Sequence, residues 1–188
     1  MKRGINRAKY KNSVNTYTES ISRDAFTEGS CIFLSHRSLD KDMVREINNY
    51  ILAFGIDTYF DENDQNLQEA TYKNDCEKIT KLIQEGLKYS THILCLLSEK
   101  TRESWWVPYE IGYADKAGKN IATLKLKDIS VVPEYLKINE YLKGYSDLEK
   151  YLIKIREKNQ SSLLEQYNSL FTDEIYKEQY KLYKYMDR

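Results

Sequence analysis

The sequence predicts an α/β fold, a flavodoxin-like doubly wound parallel sheet of four to five strands. Three observations carry this reading. Short apolar runs alternate with segments whose apolar residues recur at helical spacing. The runs CIFL (31–34) and HILCLL (92–97) are apolar throughout, as strands covered on both faces are. A chain of 188 residues with 41% hydrophobic residues supplies one full core with extensions rather than two domains. Strand–helix alternation implies right-handed βαβ crossovers, and the frequency of such folds favours the strand order 2-1-3-4-5.

Taken in order, residues 1–29 form a polar N-terminal extension, in which Val14, Tyr17 and Ile21 allow a short helix. CIFL is the first strand, ended by the polar SHRS. Leu39, Met43, Ile47 and Ile51, with Val44 and Phe54 beside them, then make an amphipathic helix stopped near Gly55. IDTYF (56–60) reads as the second strand, and DENDQNLQEATYKND (61–75) as a long polar connection. Ile79, Leu82, Ile83 and Leu87 give a second helix, and HILCLL the third strand. SWWVPYEIGYADKAG supplies a third helix, NIATLKL a fourth strand, and Tyr141 to Tyr145 a short fifth. Leu148, Tyr151, Leu152 and Ile155 mark the closing helix of a domain spanning 30–158. In the C-terminal extension, 159–188, Tyr176, Tyr180 and Tyr183 recur at helical spacing with Ile175, Leu182 and Met186 alongside. The favoured reading is a helix packed on its own domain.

Composition excludes several functions. Lys+Arg and Asp+Glu both number 29, so no excess positive charge is available to hold nucleic acid or an anionic membrane. No apolar run approaches the length of a membrane span, and none follows the basic N-terminus as a signal peptide requires. Cys31, Cys76 and Cys95 are odd in number and widely spaced, which fits reduced core residues of a cytoplasmic protein. With His36 and His92 the only histidines, no cluster of metal ligands is expected.

In a doubly wound sheet, ligands bind outside the carboxyl ends of the strands. That rule gathers SHRSLD, DENDQ and SEKTRESWW on one edge, with Glu110 in the first turns of the helix that follows. Pro108 suits a helix start, where its missing N–H would be unpaired anyway. Counting from Glu110, Trp106 lies at i−4, Tyr113 at i+3, Ala114 at i+4 and Ala117 at i+7. The glutamate therefore shares a stripe with aromatic and small residues. Spacing alone leaves two readings open: an exposed carboxylate favoured by the helix dipole, or a partly desolvated one at a pocket rim, aimed at developing positive charge.

CIFLSHRSLDKD, GIDTYFDEND, IQEGLKYSTHILCLLSEKTRESWWVPYEIGYA and GKNI resemble, in order, the Toll/interleukin-1 receptor (TIR) domain over roughly 30–158. The most specific part is Ser98, Ser104 and Trp106 leading to Glu110. In NAD-cleaving members the glutamate four residues after that tryptophan is catalytic, and Glu110 matches it. The chain also resembles the small stand-alone bacterial TIR proteins of antiphage systems such as Thoeris. That resemblance implies NAD+ as substrate with no cofactor, a cyclic ADP-ribose-type signal acting on a separate downstream effector, and homo-oligomers built through TIR–TIR contacts. It also implies that Ser35, His36 and Arg37 line the nucleotide site, Arg37 contacting phosphate, assisted by amides of a helix beginning near Ser38. Asp61 contacts the substrate or orders its loop, and Trp106 walls the nicotinamide side or fills the core. The 61–75 connection departs from the pattern, having neither Gly nor Pro where TIR domains often carry one or both.

One carboxylate suffices for this chemistry. Nicotinamide leaves from an already cationic ring nitrogen, so the general acid of ordinary glycosidases is not required. Other motifs fail: no GxSxG elbow or GxGxxG is present, and an EF-hand reading of DENDQNLQEATY puts Asn66 at the glycine position and Tyr72 at the final glutamate. Two further classes stay open at this point. One is a TIR interaction module that recruits partners and cleaves nothing; the other is a nucleoside deoxyribosyltransferase-like enzyme with a glutamate nucleophile.

Overall fold

The computed structural model describes residues 3–9, 29–37, 41–159 and 182–187. Its centre is a five-stranded sheet of β1 (Cys31–Ser35), β2 (Asp57–Tyr59), β3 (His92–Leu97), β4 (Asn120–Lys125) and β5 (Glu140–Leu142). The order is β2-β1-β3-β4-β5 with every pairing parallel, as the alternation predicts. The helices are α1 (Lys41–Ala53), α2 (Gln65–Tyr72), α3 (Cys76–Lys88), α4 (Trp106–Lys116) and α5 (Tyr145–Asn159).

Each strand residue chooses a layer by parity, because successive side chains point to opposite faces. Ile32, Leu34, Leu94, Leu96, Ala122 and Leu124 pack under α1 and α5. Phe33, Ile93, Cys95, Leu97 and Ile121 pack under α3 and α4. Both faces are covered, which is why β1 and β3 are buried along their whole length. Helix α1 ends where Gly55 takes a φ of +77°, a left-handed conformation that glycine adopts without steric cost.

The 61–75 connection is not a plain loop. A 3₁₀ turn at Asp61–Asn63 leads into α2, whose N-cap is Asp64, accepting from Leu67 N at 3.2 Å. Asp64 also accepts from the Tyr59 hydroxyl at 2.6 Å. Leu67 and Ala70, three residues apart on one helix face, are the buried positions that hold α2 down. Apart from the exposed Tyr72 its remaining residues are polar, so no apolar periodicity announced it. A second cap, Asp75 accepting from Lys78 N at 3.0 Å, starts α3 at once.

The flanking segments are built into this core. Asn6 bridges to Thr58 in parallel, Thr58 N donates to Ile5 O at 3.0 Å, and Arg7 Nε meets Asp57 Oδ2 at 3.0 Å. At the other end Leu182 and Met186 are buried in the α1/α5 layer. Asp187 bridges to Gly144, its carbonyl accepting from Tyr145 N at 2.7 Å. Here the described tail is a single 3₁₀ turn, Leu182–Lys184, packed on its own domain. The helices expected around Val14, Tyr17 and Ile21 and around Ile175, Tyr176 and Tyr180 lie outside the described residues, as do Ser38 and Leu39. Cys31 and Cys95 are buried, whereas Cys76 is exposed at the start of α3, correcting its assignment to the core.

Candidate active site

The sheet delivers the expected residues to one edge. Ser35 closes β1, His36 and Arg37 follow it, Asp61 opens the turn after β2, and α4 begins beyond the turn after β3. That last turn, Glu99–Glu103, is fixed by a reciprocal cap between Ser98 and Thr101. Pro108 occupies the first turn of α4, where its missing N–H costs no helical bond. Glu110 sits one turn further along, and Val107, Ile111 and Ala114 of the same helix are buried beside it.

Glu110 is buried to 6% exposure. The fully buried Ser35 donates its hydroxyl to Glu110 Oε2 at 2.5 Å. Both readings left open by spacing placed this carboxylate nearer to water than it is. Burial pushes its pKa from 4.5 to about 8; the Ser35 hydrogen bond opposes that rise and the Asp61 charge adds to it. The carboxyl therefore holds its proton in the resting site at neutral pH, and a cation arriving beside it favours the charged form.

His36 and Asp61 form the second element of the site. The His36 ring is tilted against Phe60 with centroids 5.4 Å apart, and its Nδ1 lies 2.9 Å from Leu34 O. A carbonyl can only accept, so Nδ1 is the donor there. The other ring nitrogen, Nε2, faces Asp61 Oδ1 at 3.6 Å. Asp61 keeps 32% of its side chain exposed; its partial burial raises the carboxyl, while His36 and then Lys41 pull it back down. Asp61 and Glu110 are thus two carboxyls raised by desolvation on either side of Ser35 and His36.

Arg37 is engaged within the protein. Its Nη1 donates to Lys100 O at 2.9 Å and to Glu103 Oε2 at 2.6 Å, tying the end of β1 to the turn before α4. Trp106 is half-buried at the start of α4, edge-on to Tyr109 at 6.1 Å, and packs at the margin of the α3/α4 layer rather than inside it. Trp105 is 91% exposed. A polar concavity of about 520 Å³ is lined by Lys9, Glu62, Asn63, Gln65 and Gln68. It adjoins the Asp61 end through Gln68, whose amide donates to Asp61 O at 3.2 Å.

One neighbour was not legible as part of the site. Cys95 pairs in register with Ser35, and its thiol is pushed far up by burial and by the Glu110 charge. In the sequence it is one apolar residue within HILCLL, and only the β1–β3 register places it beside the carboxylate. Among the described residues, no three His, Cys, Asp or Glu side chains are grouped to hold a metal ion.

Residues 33–129 match the family model described as Thoeris protein ThsB, TIR-like domain. A relative in Bacillus cereus (strain MSX-D12), named Probable 3' cyclic ADP-D-ribose synthase ThsB', is 30% identical over 115 residues, which is 61% of this chain. The match spans 58% of that protein's length. Ser35, His36, Arg37, Asp61, Trp106 and Glu110 all fall within the segment that the family model covers.

Proposed function

Because the chain belongs to the TIR-like domain family of the Thoeris protein ThsB, we propose that it consumes NAD+, breaking the bond between nicotinamide and ribose, with Glu110 as the catalytic residue. The observation that carries this reading is the burial of Glu110 in the sheet-edge site, held by the Ser35 hydroxyl at 2.5 Å. A carboxylate so placed is worth most where a sugar carbon becomes cationic. At about 4 Å and an effective dielectric of about 20 such a pair gains roughly 4 kcal/mol, about a thousandfold in rate.

The electron pair of the C–N bond leaves with the pyridine nitrogen, which becomes neutral without receiving a proton. Glu110 faces the ribosyl carbon and stabilises its positive charge. Water can then add, losing a proton to give ADP-ribose, or another atom of the same nucleotide can close a ring. The name of the Bacillus relative supports the cyclic outcome. Ser35 fixes the carboxylate, His36 and Asp61 border the nucleotide, and Arg37 braces the end of β1 against the turn before α4. We place Trp106 at the nicotinamide side of the site.

Within this proposal the product is a diffusible signal for a separate effector in antiphage defence, made in the cytoplasm, where NAD+ is available. Contacts between TIR domains assemble the active form. Among the described residues no helix is long and apolar enough to cross a membrane.

The test is to incubate purified full-length protein with NAD+, with and without phage-derived trigger, and to follow nicotinamide and the nucleotide product by mass spectrometry. Release by the wild type and its loss in Glu110→Gln is the expected result. A TIR module that only recruits partners would leave NAD+ intact in every arm, and wild type and variant would behave alike.

A further inference from the structure

Strand β4 carries a polar group that the fold does not use. Thr123 is fully buried, and its Oγ1 has no hydrogen-bond partner among the described residues. A buried hydroxyl without a partner destabilises a protein, and a valine of nearly the same shape would avoid that cost. Sheet register says where the hydroxyl lies. Ser35 of β1 pairs with Cys95 of β3, and Cys95 with Thr123 of β4, so the three form one row across the sheet. Ile121 packs in the same layer as Cys95, whereas Ala122 and Leu124 pack in the opposite one. Parity therefore puts Thr123 on the face that Glu110 occupies.

Ser35, at one end of the row, is bonded to Glu110. In the middle, Cys95 is close enough to feel the charge of Glu110 on one side and to influence Tyr135 on the other. Tyr135 belongs to the segment after β4, which sends Leu136 into this layer, with Ile129 and Val132 packed against it. The same segment leaves Val131 53% and Tyr135 36% exposed, so its hold on the row is partial.

We propose that Thr123 is a substrate-binding residue, its hydroxyl hydrogen-bonding the carboxamide of the nicotinamide ring. This rests on the NAD+ reading above. The ribosyl carbon stands at Glu110, the ring lies over Cys95, and the segment carrying Tyr135 lifts to admit it. Adjacent strands are about 4.8 Å apart, so Thr123 stands roughly 10 Å across the sheet from Ser35, a distance that a pyridine ring, its amide and one hydrogen bond span together. A hydroxyl donates and accepts, and a carboxamide offers both partners. A buried polar group that only the right substrate satisfies is a strong source of discrimination, since a ligand without the amide leaves it unpaired.

The test compares NAD+ with the dinucleotide whose ring is plain pyridine, using wild type, Thr123→Val and Thr123→Ser. Wild type should prefer NAD+ in kcat/KM by about tenfold or more. The valine variant should lose about tenfold of that preference, keeping the part that follows from nicotinamide being the better leaving group, and serine should restore it. Melting provides a readout independent of turnover: nicotinamide should raise the Tm of wild type and of the serine variant but not that of Thr123→Val, and pyridine should raise none. Without ligand, Thr123→Val should melt at the wild-type temperature or about 2–4 °C above it, which shows that the variant is folded. A valine variant that keeps both the full preference and the nicotinamide shift overturns the assignment, as does a wild type without either. If wild type fails to cleave NAD+ at all, it is the glycohydrolase reading that falls, and the nicotinamide shift alone then decides the role of Thr123.

Discussion

Glu110 makes the stability of the protein depend on pH in a direction opposite to most carboxylates. Its pKa is raised from 4.5 to about 8, so between those values the folded chain keeps a proton that the unfolded chain has released. Stability contributed by the protonated form therefore declines as pH rises through that window. Glu110→Gln has no such proton to lose. Thermal melts from pH 5 to 9 should show the variant gaining on wild type toward the alkaline end, by a few kcal/mol in order of magnitude. A constant difference would mean that the carboxyl is not desolvated. Catalysis should mirror this, because kcat/KM reports the free enzyme: its acid limb should fall near pH 8. Ser35→Ala removes the hydrogen bond that favours the charged carboxylate, so the limb should move to higher pH. A limb that stays in place would show that Ser35 does not hold Glu110. At this scale the sequence disclosed much: the i−4, i+3, i+4 stripe marked Glu110 as unusual before any coordinates. It could not disclose depth, because burial of Glu110 depends on β1, which is far away in the chain.

Helix α2 shows how an element can be hidden. Spacing revealed α1, α3 and α5 because each presents a long apolar stripe; α2 buries just Leu67 and Ala70, and the rest of Gln65–Tyr72 is polar apart from the exposed Tyr72. What makes it a helix is local chemistry: Asp64 as cap and good helix formers in Gln, Glu and Ala. Asp64 also anchors Tyr59 from β2, so Asp64→Ala should remove a cap and a buried acceptor together. The expected loss is about 2–4 kcal/mol in urea unfolding. A loss below about 0.5 kcal/mol would mean that α2 stands without its cap, since truncating a cap costs at least that much. Because Asp61 begins the turn feeding this helix, the same variant should weaken NAD+ use even though Asp64 touches no substrate.

At the scale of the whole molecule, alternation made a parallel sheet readable, while the order 2-1-3-4-5, expected from the frequency of such folds, is the one found. The anchoring of the flanks was legible only in part. Segment 3–9 is largely polar and lies far in sequence from what it touches, so no local pattern ties Asn6 to Thr58; for 182–187 the apolar Leu182 and Met186 announced packing on the domain, but not which layer receives them. The C-terminal anchor has a measurable weight. Ending the chain before Leu182 removes two fully buried apolar side chains, each worth about 1.5–3 kcal/mol. It also removes the carbonyls of Tyr185 and Asp187, which accept from Lys127 N and Tyr145 N at 2.7 Å. The midpoint of urea unfolding should fall accordingly, and an unchanged midpoint would show the anchor to be ornamental. The N-terminal anchor limits how copies can join. Thr58 and Phe60 already give their amide hydrogens to Ile5 and Asn6, so the outer margin of β2 offers no template for a foreign strand. Extension of the sheet by a second copy is therefore closed on that side.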